Sequence, residues 1–215
     1  MFRHILKLNP TTRTTRQIIA DAHLMHQAVM AGFDHHLPER DFMADGVKPH
    51  PTHRADHHIL HAVDHRDDGT VWVMVQADIP GNWEGTRLAD ALVEPAHPTE
   101  HTPINKGNLH YQLVANPTIK RIRGSRQPLT KPSDIENWWR NKAEKIGLDL
   151  AGNRVDIHTT GQLHSHAKPG LRLATARIGG VGAVVNEEKF NQALTEGVGR
   201  GKAYGCGLLL TLPGR

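Results

Sequence analysis

The sequence predicts an α+β fold built as two small domains. Three observations lead there. Strand-like and helix-like segments are interleaved in both halves of the chain. The length of 215 residues accommodates two units of about 100 residues. Pro95, Pro98 and Pro103 cluster between them, where a junction over roughly residues 93–107 interrupts both periodicities. Boundaries at 1–95 and 105–215 follow. No repeat is visible between the halves, so a duplication is inferred from element order alone.

The first strand runs from Phe2 to Leu8. Phe2, His4, Leu6 and Leu8 alternate with Arg3, Ile5 and Lys7, and Asn9-Pro10 ends it. A helix is expected from about Thr14 to Ala31, with Ile18, Ala22, Met25 and Val29 forming one stripe and Gly32 stopping it. Asp34 to Thr52 reads as loop. Ile59–Val63 and Thr70–Ala77 are strands around an Asp67-Asp68-Gly69 turn. Leu109–Ala115 is a further strand, closed by Asn116-Pro117. This order fits a ferredoxin-like βαββαβ unit. Beyond a basic connector, Arg121 to Lys131, a Ser133-Asp-Ile-Glu136 capping box opens a helix carrying Trp138, Trp139, Ala143 and Ile146, stopped by Gly147. Val155–Thr160, Leu171–Ile178 and Gly182–Val185 are strand candidates. Asn186 caps a short helix with Phe190 and Leu194, ending at Gly197. Leu208–Leu212 is the last strand.

Bulk composition narrows the function classes. Hydrophobic residues make up 38% and aromatics 5%, so aliphatic side chains must fill the cores. No apolar run approaches the roughly 18 residues of a membrane span. Met1 to Pro10 lacks the pattern of a signal peptide. The single cysteine, Cys206, excludes an internal disulfide framework. A cytoplasmic protein without membrane contact is expected. The net charge of +4 suits a polyanion partner without requiring one. Lys120 to Lys145 concentrates the excess, with eight Lys or Arg against Asp134, Glu136 and Glu144. The 17 histidines include a polar cluster, His35, His36, His50, His53, His57, His58, His61 and His65. They admit a zinc site, although no H-E-x-x-H pattern occurs. The plainer reading makes most of them surface residues.

Two constellations carry chemistry. Gly197-Val-Gly-Arg-Gly-Lys-Ala-Tyr-Gly-Cys-Gly207 supplies five glycines with Arg200 and Lys202 among them. Its backbone amides and lysine can cradle phosphate, or it is only a tight connection. It has neither Walker nor Rossmann spacing. His23 and His26 stand at i and i+3 on the first helix, at the border of its apolar stripe. There they pack, or they act in proton transfer near neutral pH. Metal-free RNA cleavage needs only such a base, an acid and cations for the phosphorane. Asp64, Asp67 and Asp68 read as turn residues rather than magnesium ligands.

Taken together, these segments resemble a family. Gly197–Leu210, GVGRGKAYGCGLLL, resembles the C-terminal G-[VI]-G-x-[GA]-K-[AS]-x-G-x-G-L-L signature of CRISPR repeat endoribonucleases, most closely the CasE (Cse-type) subunits of type I-E Cascade complexes. Leu6-x-Leu-Asn-Pro10, the Arg13–Val29 helix and Leu113-x-Ala-Asn-Pro117 with Lys120 are similar to further stretches of that family. The resemblance implies two tandem ferredoxin-like (RRM-like) domains. It implies a metal-independent enzyme that needs no cofactor, binds the CRISPR repeat hairpin and cuts it to leave 5′-hydroxyl and 2′,3′-cyclic phosphate ends. The enzyme would then stay on its crRNA with other Cascade subunits. It places His26 on the catalytic histidine, with His23 where members commonly carry tyrosine. A lysine that some members have after the histidine is replaced by Ala31 and Gly32, so charge stabilisation must come from elsewhere.

RNA-contact candidates are Lys120, Arg121, Arg123 and Arg126 of the connector, Arg140 and Lys142 of the helix after Ser133, Lys168 near a possible hairpin over His158–Lys168, and Gly199, Arg200, Gly201 and Lys202 of the loop. A non-catalytic RNA-binding module and a zinc protein are the alternatives.

Overall fold

The computed structural model describes residues 1–34, 53–121, 124 and 126–214. Arg123, His35, His36 and His50 lie outside them. The first half holds β1 (Phe2–Leu8), α1 (Arg13–Ile19), α2 (Ala22–Ala31), α3 (His53–Asp56), β2 (Leu60–His65), β3 (Val71–Ala77), a 3-10 turn (Ala89–Ala91) and β4 (Thr99–Glu100). Its sheet has the order β2-β3-β1-β4, antiparallel throughout. That is the ferredoxin-like topology, with the second helix reduced to the 3-10 turn. Leu6, Leu8, Ile18, Met25, Val29, Phe33 and Trp83 fill the core beneath it.

The second half holds β5 (Gly107–Ala115), β6 (Thr118–Lys120), β7 (Arg126–Pro128), α4 (Pro132–Lys145), β8 (Leu148–Asp149), β9 (Val155–His164), β10 (Arg172–Val184), α5 (Glu187–Glu196), a 3-10 turn (Lys202–Tyr204) and β11 (Leu210–Pro213). β11, β5, β10 and β9 repeat the order of β4, β1, β3 and β2, with β8 extending the β9 side. Trp139, Phe190, Leu113 and Ile178 are fully buried between α4, α5 and this sheet.

Several elements differ from expectation. Residues 109–115 do not close the first sheet; they are a central strand of the second, and the short β4 takes the closing place. The expected Thr14–Ala31 helix is broken into α1 and α2, because Asp21 leaves helical geometry to cap α2, accepting from the His23 and Leu24 amides. Continuing the helix would have buried that carboxylate without donors, which costs more than one helical turn returns. α4 begins at Pro132, with Lys131 at the cap position and no side-chain cap bond. The Ser133 box is therefore not used, since Pro at the first helical position has no amide to satisfy. Leu171–Ile178 and Gly182–Val185 form one strand, β10. Its glycines permit close packing: a Cβ on Gly180 would stand 2.7 Å from Tyr111 Oη and 2.9 Å from the Arg154 carbonyl. Asp64 lies on β2 rather than in the turn and meets Arg177 Nη2 at 2.7 Å.

That ion pair belongs to the junction between the two halves. Gln76 Nε2 donates to the Leu194 carbonyl across it at 2.9 Å, fully buried. Leu60 packs at Gly197. The junction brings α2 and β2 of the first half against the 3-10 turn Lys202–Tyr204 and the residues following β9. Among the described residues no helix is long and apolar enough to cross a membrane.

Candidate active site

Asp21 organises the junction. Its Oδ1 accepts from the amides of His23 and Leu24 at 2.9 and 3.1 Å. Its Oδ2 accepts from those of His166 and Ala167 at 2.8 and 3.0 Å. One carboxylate thus fixes the start of α2 and the loop after β9, 145 residues later in sequence. Burial pushes this carboxyl up, but donation from Ala167, the Ser165 hydroxyl, Leu24 and His166 outweighs it. The net effect holds the group below the usual carboxylate range. The same loop is pinned internally by the Lys168 amide on Ser165 Oγ at 2.8 Å.

The two elements held by Asp21 present the candidate site residues. From α2 come His23 and His26, with ring centroids 6.3 Å apart. From the loop comes Lys168, whose Nζ donates to Tyr204 Oη at 3.0 Å. Tyr204 lies edge-on to His26, ring centroids 5.9 Å apart. Burial first, then Arg54, His23 and Lys168, push the pKa of His26 down to about 4. The imidazole is therefore neutral at physiological pH and able to accept a proton. The buried Nδ1 atoms of His23 and His26 have no hydrogen-bond partner among the described residues.

Sequence reasoning missed three neighbours. His61 was grouped with surface histidines but is 2% exposed. Burial, then His26 and Arg54, lower its pKa to about 3. It stands against Gly205, 3.3 Å from where a Cβ there would be. Arg54, on α3, donates to the Ile59 carbonyl at 2.7 Å. Tyr204 was read only as part of the glycine-rich loop. His61 follows the apolar Ile59-Leu60 pair and precedes Ala62-Val63, an apolar surrounding that is a signal for burial; Arg54 and Tyr204 have no local signal.

The glycine-rich loop is ordered by backbone hydrogen bonds within itself and to β5. Val198 donates to the Gly207 carbonyl at 2.8 Å, Gly207 to Val114 at 2.7 Å, and Tyr204 to Gly201 at 2.8 Å. Burial lowers the pKa of Lys202, with the charge of Glu196 opposing the shift and that of Arg54 adding to it.

The other candidates separate into groups. Lys168 joins the His26 centre rather than the outer basic surface. Lys120 and Arg126 face each other across the β6–β7 ribbon, and Arg121 Nε donates to Gln127 at 2.6 Å. Arg140 is engaged by Glu136 at 2.7 Å and by the Asn153 carbonyl at 2.9 Å. Lys142 lies on another face of α4, in a cleft against α5. Arg200 is exposed. Among the described residues no group of three or more His, Cys, Asp or Glu is placed to hold a metal ion.

Comparison with known proteins follows this geometry. A family model described as CRISPR associated protein matches residues 1–213. No curated protein matches. Cse3 from Thermus thermophilus, solved with an RNA representing a pre-cleavage complex, superposes with a TM-score of 0.80 at 26% identity, covering 99% of this chain and 98% of that one. A CRISPR endoribonuclease Cse3 bound to a 19-nucleotide RNA gives 0.77 at 25% identity with the same coverage. Cas6e from Escherichia coli K-12 shares the fold, with a TM-score of 0.63 at 20% identity over 99% of this chain and all of that one. With nearly its whole length matched, this chain belongs to the family of CRISPR-associated proteins, and its two ferredoxin-like domains are those of the Cse3 structures.

Proposed function

We propose that the protein is a metal-independent endoribonuclease that cuts CRISPR repeat RNA and then holds the product as a subunit of a Cascade surveillance complex. The observation that carries this is the neutral His26 facing the Lys168–Tyr204 pair across the junction. The similarity to RNA-bound Cse3 endoribonucleases supports the substrate class.

In this mechanism His26 takes the proton of the 2′-hydroxyl beside the scissile phosphate. The 2′-oxygen attacks phosphorus and the bond to the 5′-oxygen breaks, leaving a 2′,3′-cyclic phosphate and a 5′-hydroxyl. His23, one helical turn away, is the second proton carrier and serves the leaving oxygen. Lys168 stabilises the charge that develops on the phosphorane, and Tyr204 keeps its ammonium in place. Lys202 and the loop amides hold neighbouring phosphates. Lys120, Arg121, Arg126 and Arg200 add exposed cations for the hairpin, so binding weakens with salt.

The test is cleavage of the cognate repeat hairpin in EDTA. Wild-type protein cuts it, and His26→Ala cuts at least about 100-fold more slowly while binding it with unchanged affinity. Undiminished cutting by His26→Ala removes the assignment; no cutting by wild type leaves the RNA-binding module.

A further inference from the structure

We propose that the cleft between α4 and α5 is a second RNA site, occupied by the single-stranded segment that flanks the scissile phosphate. The inference rests on the reading of the His26 centre as the place of cleavage. The cleft has a volume of about 300 Å³ and is lined by Lys142, Lys145 and Lys189, with Gly197–Gly199 at one end. Its one acid, Glu196, accepts from Gln192 Nε2 at 2.8 Å, and among the described residues none of the three lysines is in an ion pair, so the lining keeps a net positive charge. That charge selects a polyanion.

The glycine-rich loop at that end of the cleft supplies the other half of a nucleotide site. Gly199 and Gly201 have φ of +81° and +77° on either side of Arg200. Alternation of this kind turns successive amides to one side and makes an anion-binding concavity. Among the described residues the amides of Gly199, Arg200 and Gly201 donate to no protein acceptor. The half-buried Trp138 stands one helical turn before Lys142 on α4, with its ring 3.6 Å from where a Gly199 Cβ would be. An indole beside a phosphate cradle is the arrangement that stacks a base while cations hold its backbone.

Position argues for RNA next to the cut rather than a remote ligand. The loop that closes this end of the cleft also carries Tyr204 to His26. Tyr204 lies five positions beyond Gly199, a reach of at most about 18 Å, which is a few nucleotides of strand. A strand leaving the scissile phosphate along this loop enters the cleft directly.

The experiment compares three RNAs: the bare CRISPR repeat stem-loop, the same stem-loop extended on its 5′ side, and one extended on its 3′ side. Each is titrated with wild type and with Lys145→Ala/Lys189→Ala across a range of KCl. One of the two extensions tightens wild-type binding about 10-fold. The double variant loses that gain, and its salt slope for the extended RNA falls by about 1.4, the value for two lost contacts to a single strand. Trp138→Phe retains most of the gain and Trp138→Ala loses most of it. The proposal fails if neither extension tightens binding, if the variant keeps the gain, or if it loses affinity equally for the bare stem-loop. It also fails if the variant binds all three RNAs like wild type but no longer captures an acidic polypeptide that wild type captures. Absence of cutting by wild type, with the extension effect intact, would instead overturn the cleavage reading.

Discussion

At the scale of single residues, the proposed chemistry depends on keeping one imidazole neutral and one carboxylate charged. The His26 pKa is held near 4 by burial and neighbouring cations, and a base works only in its unprotonated form. The acidic limb of the cleavage rate, where His26 protonates and the base is lost, should therefore lie near pH 4. A pH–rate profile of single-turnover cutting checks this; an acidic limb near 6.5 would mark an unperturbed histidine. Asp21 has the opposite dependence. Its folded-state pKa is depressed, so its contribution to stability is present above the usual carboxylate value and is lost as pH falls through the folded one. Asp21→Asn should lower stability by about 1–3 kcal/mol, because its Nδ2 cannot accept from the 166–167 amides while its Oδ1 can still cap α2. Its kcat should fall more than its affinity for RNA, and it should flatten the acid-unfolding curve below about pH 4. Denaturant titration at pH 7 and pH 3 measures both.

At the scale of elements, the sequence discloses those whose causes are local. β1 and α5 follow from alternation and from the Asn186 cap, which bonds the Lys189 amide at 3.0 Å. The break before α2 was not visible, because Asp21 reads as one polar position between apolar ones and half of its partners lie 145 residues away. β10 was divided because glycines resemble a turn until Tyr111 and Leu148 are packed over them. The glycine-rich loop was legible as a family signature, but its rigidity was not. At Gly207, φ is +89° and a Cβ would stand 2.5 Å from the Val198 carbonyl. Gly207→Ala should destabilise the protein by at least about 2 kcal/mol and lower Tm by roughly 5 °C or more. Thermal unfolding followed by circular dichroism tests it.

At the scale of the whole molecule, two sheets with the same strand order meet at a junction that is both structural and reactive. Its buried contacts predict one cooperative unfolding transition rather than two. Gln76→Ala leaves the Leu194 carbonyl without its donor and should cost about 1–2 kcal/mol, or roughly 3–6 °C in Tm for a chain of this size. Differential scanning calorimetry shows whether the loss leaves a single peak. The candidate site was half legible for the same geometric reason. His23 and His26 share one helix, so their spacing reveals them. Lys168 was visible only as a basic residue. Tyr204, Arg54 and His61 join the site through the docking of the two halves.

The Asp21 clasp has a consequence for how activity arises during folding. It closes a loop of well over a hundred residues, and contacts of such separation form late, after the local elements on either side. α2 and its histidines can assemble with the first sheet alone, whereas Lys168 and Tyr204 arrive only when the second sheet is complete and docked. A folding intermediate with an intact first half thus carries the proposed base without its cation. The capacity to cut appears in one step with the final docking, so recovery of cleavage during refolding reports that docking rather than the growth of secondary structure.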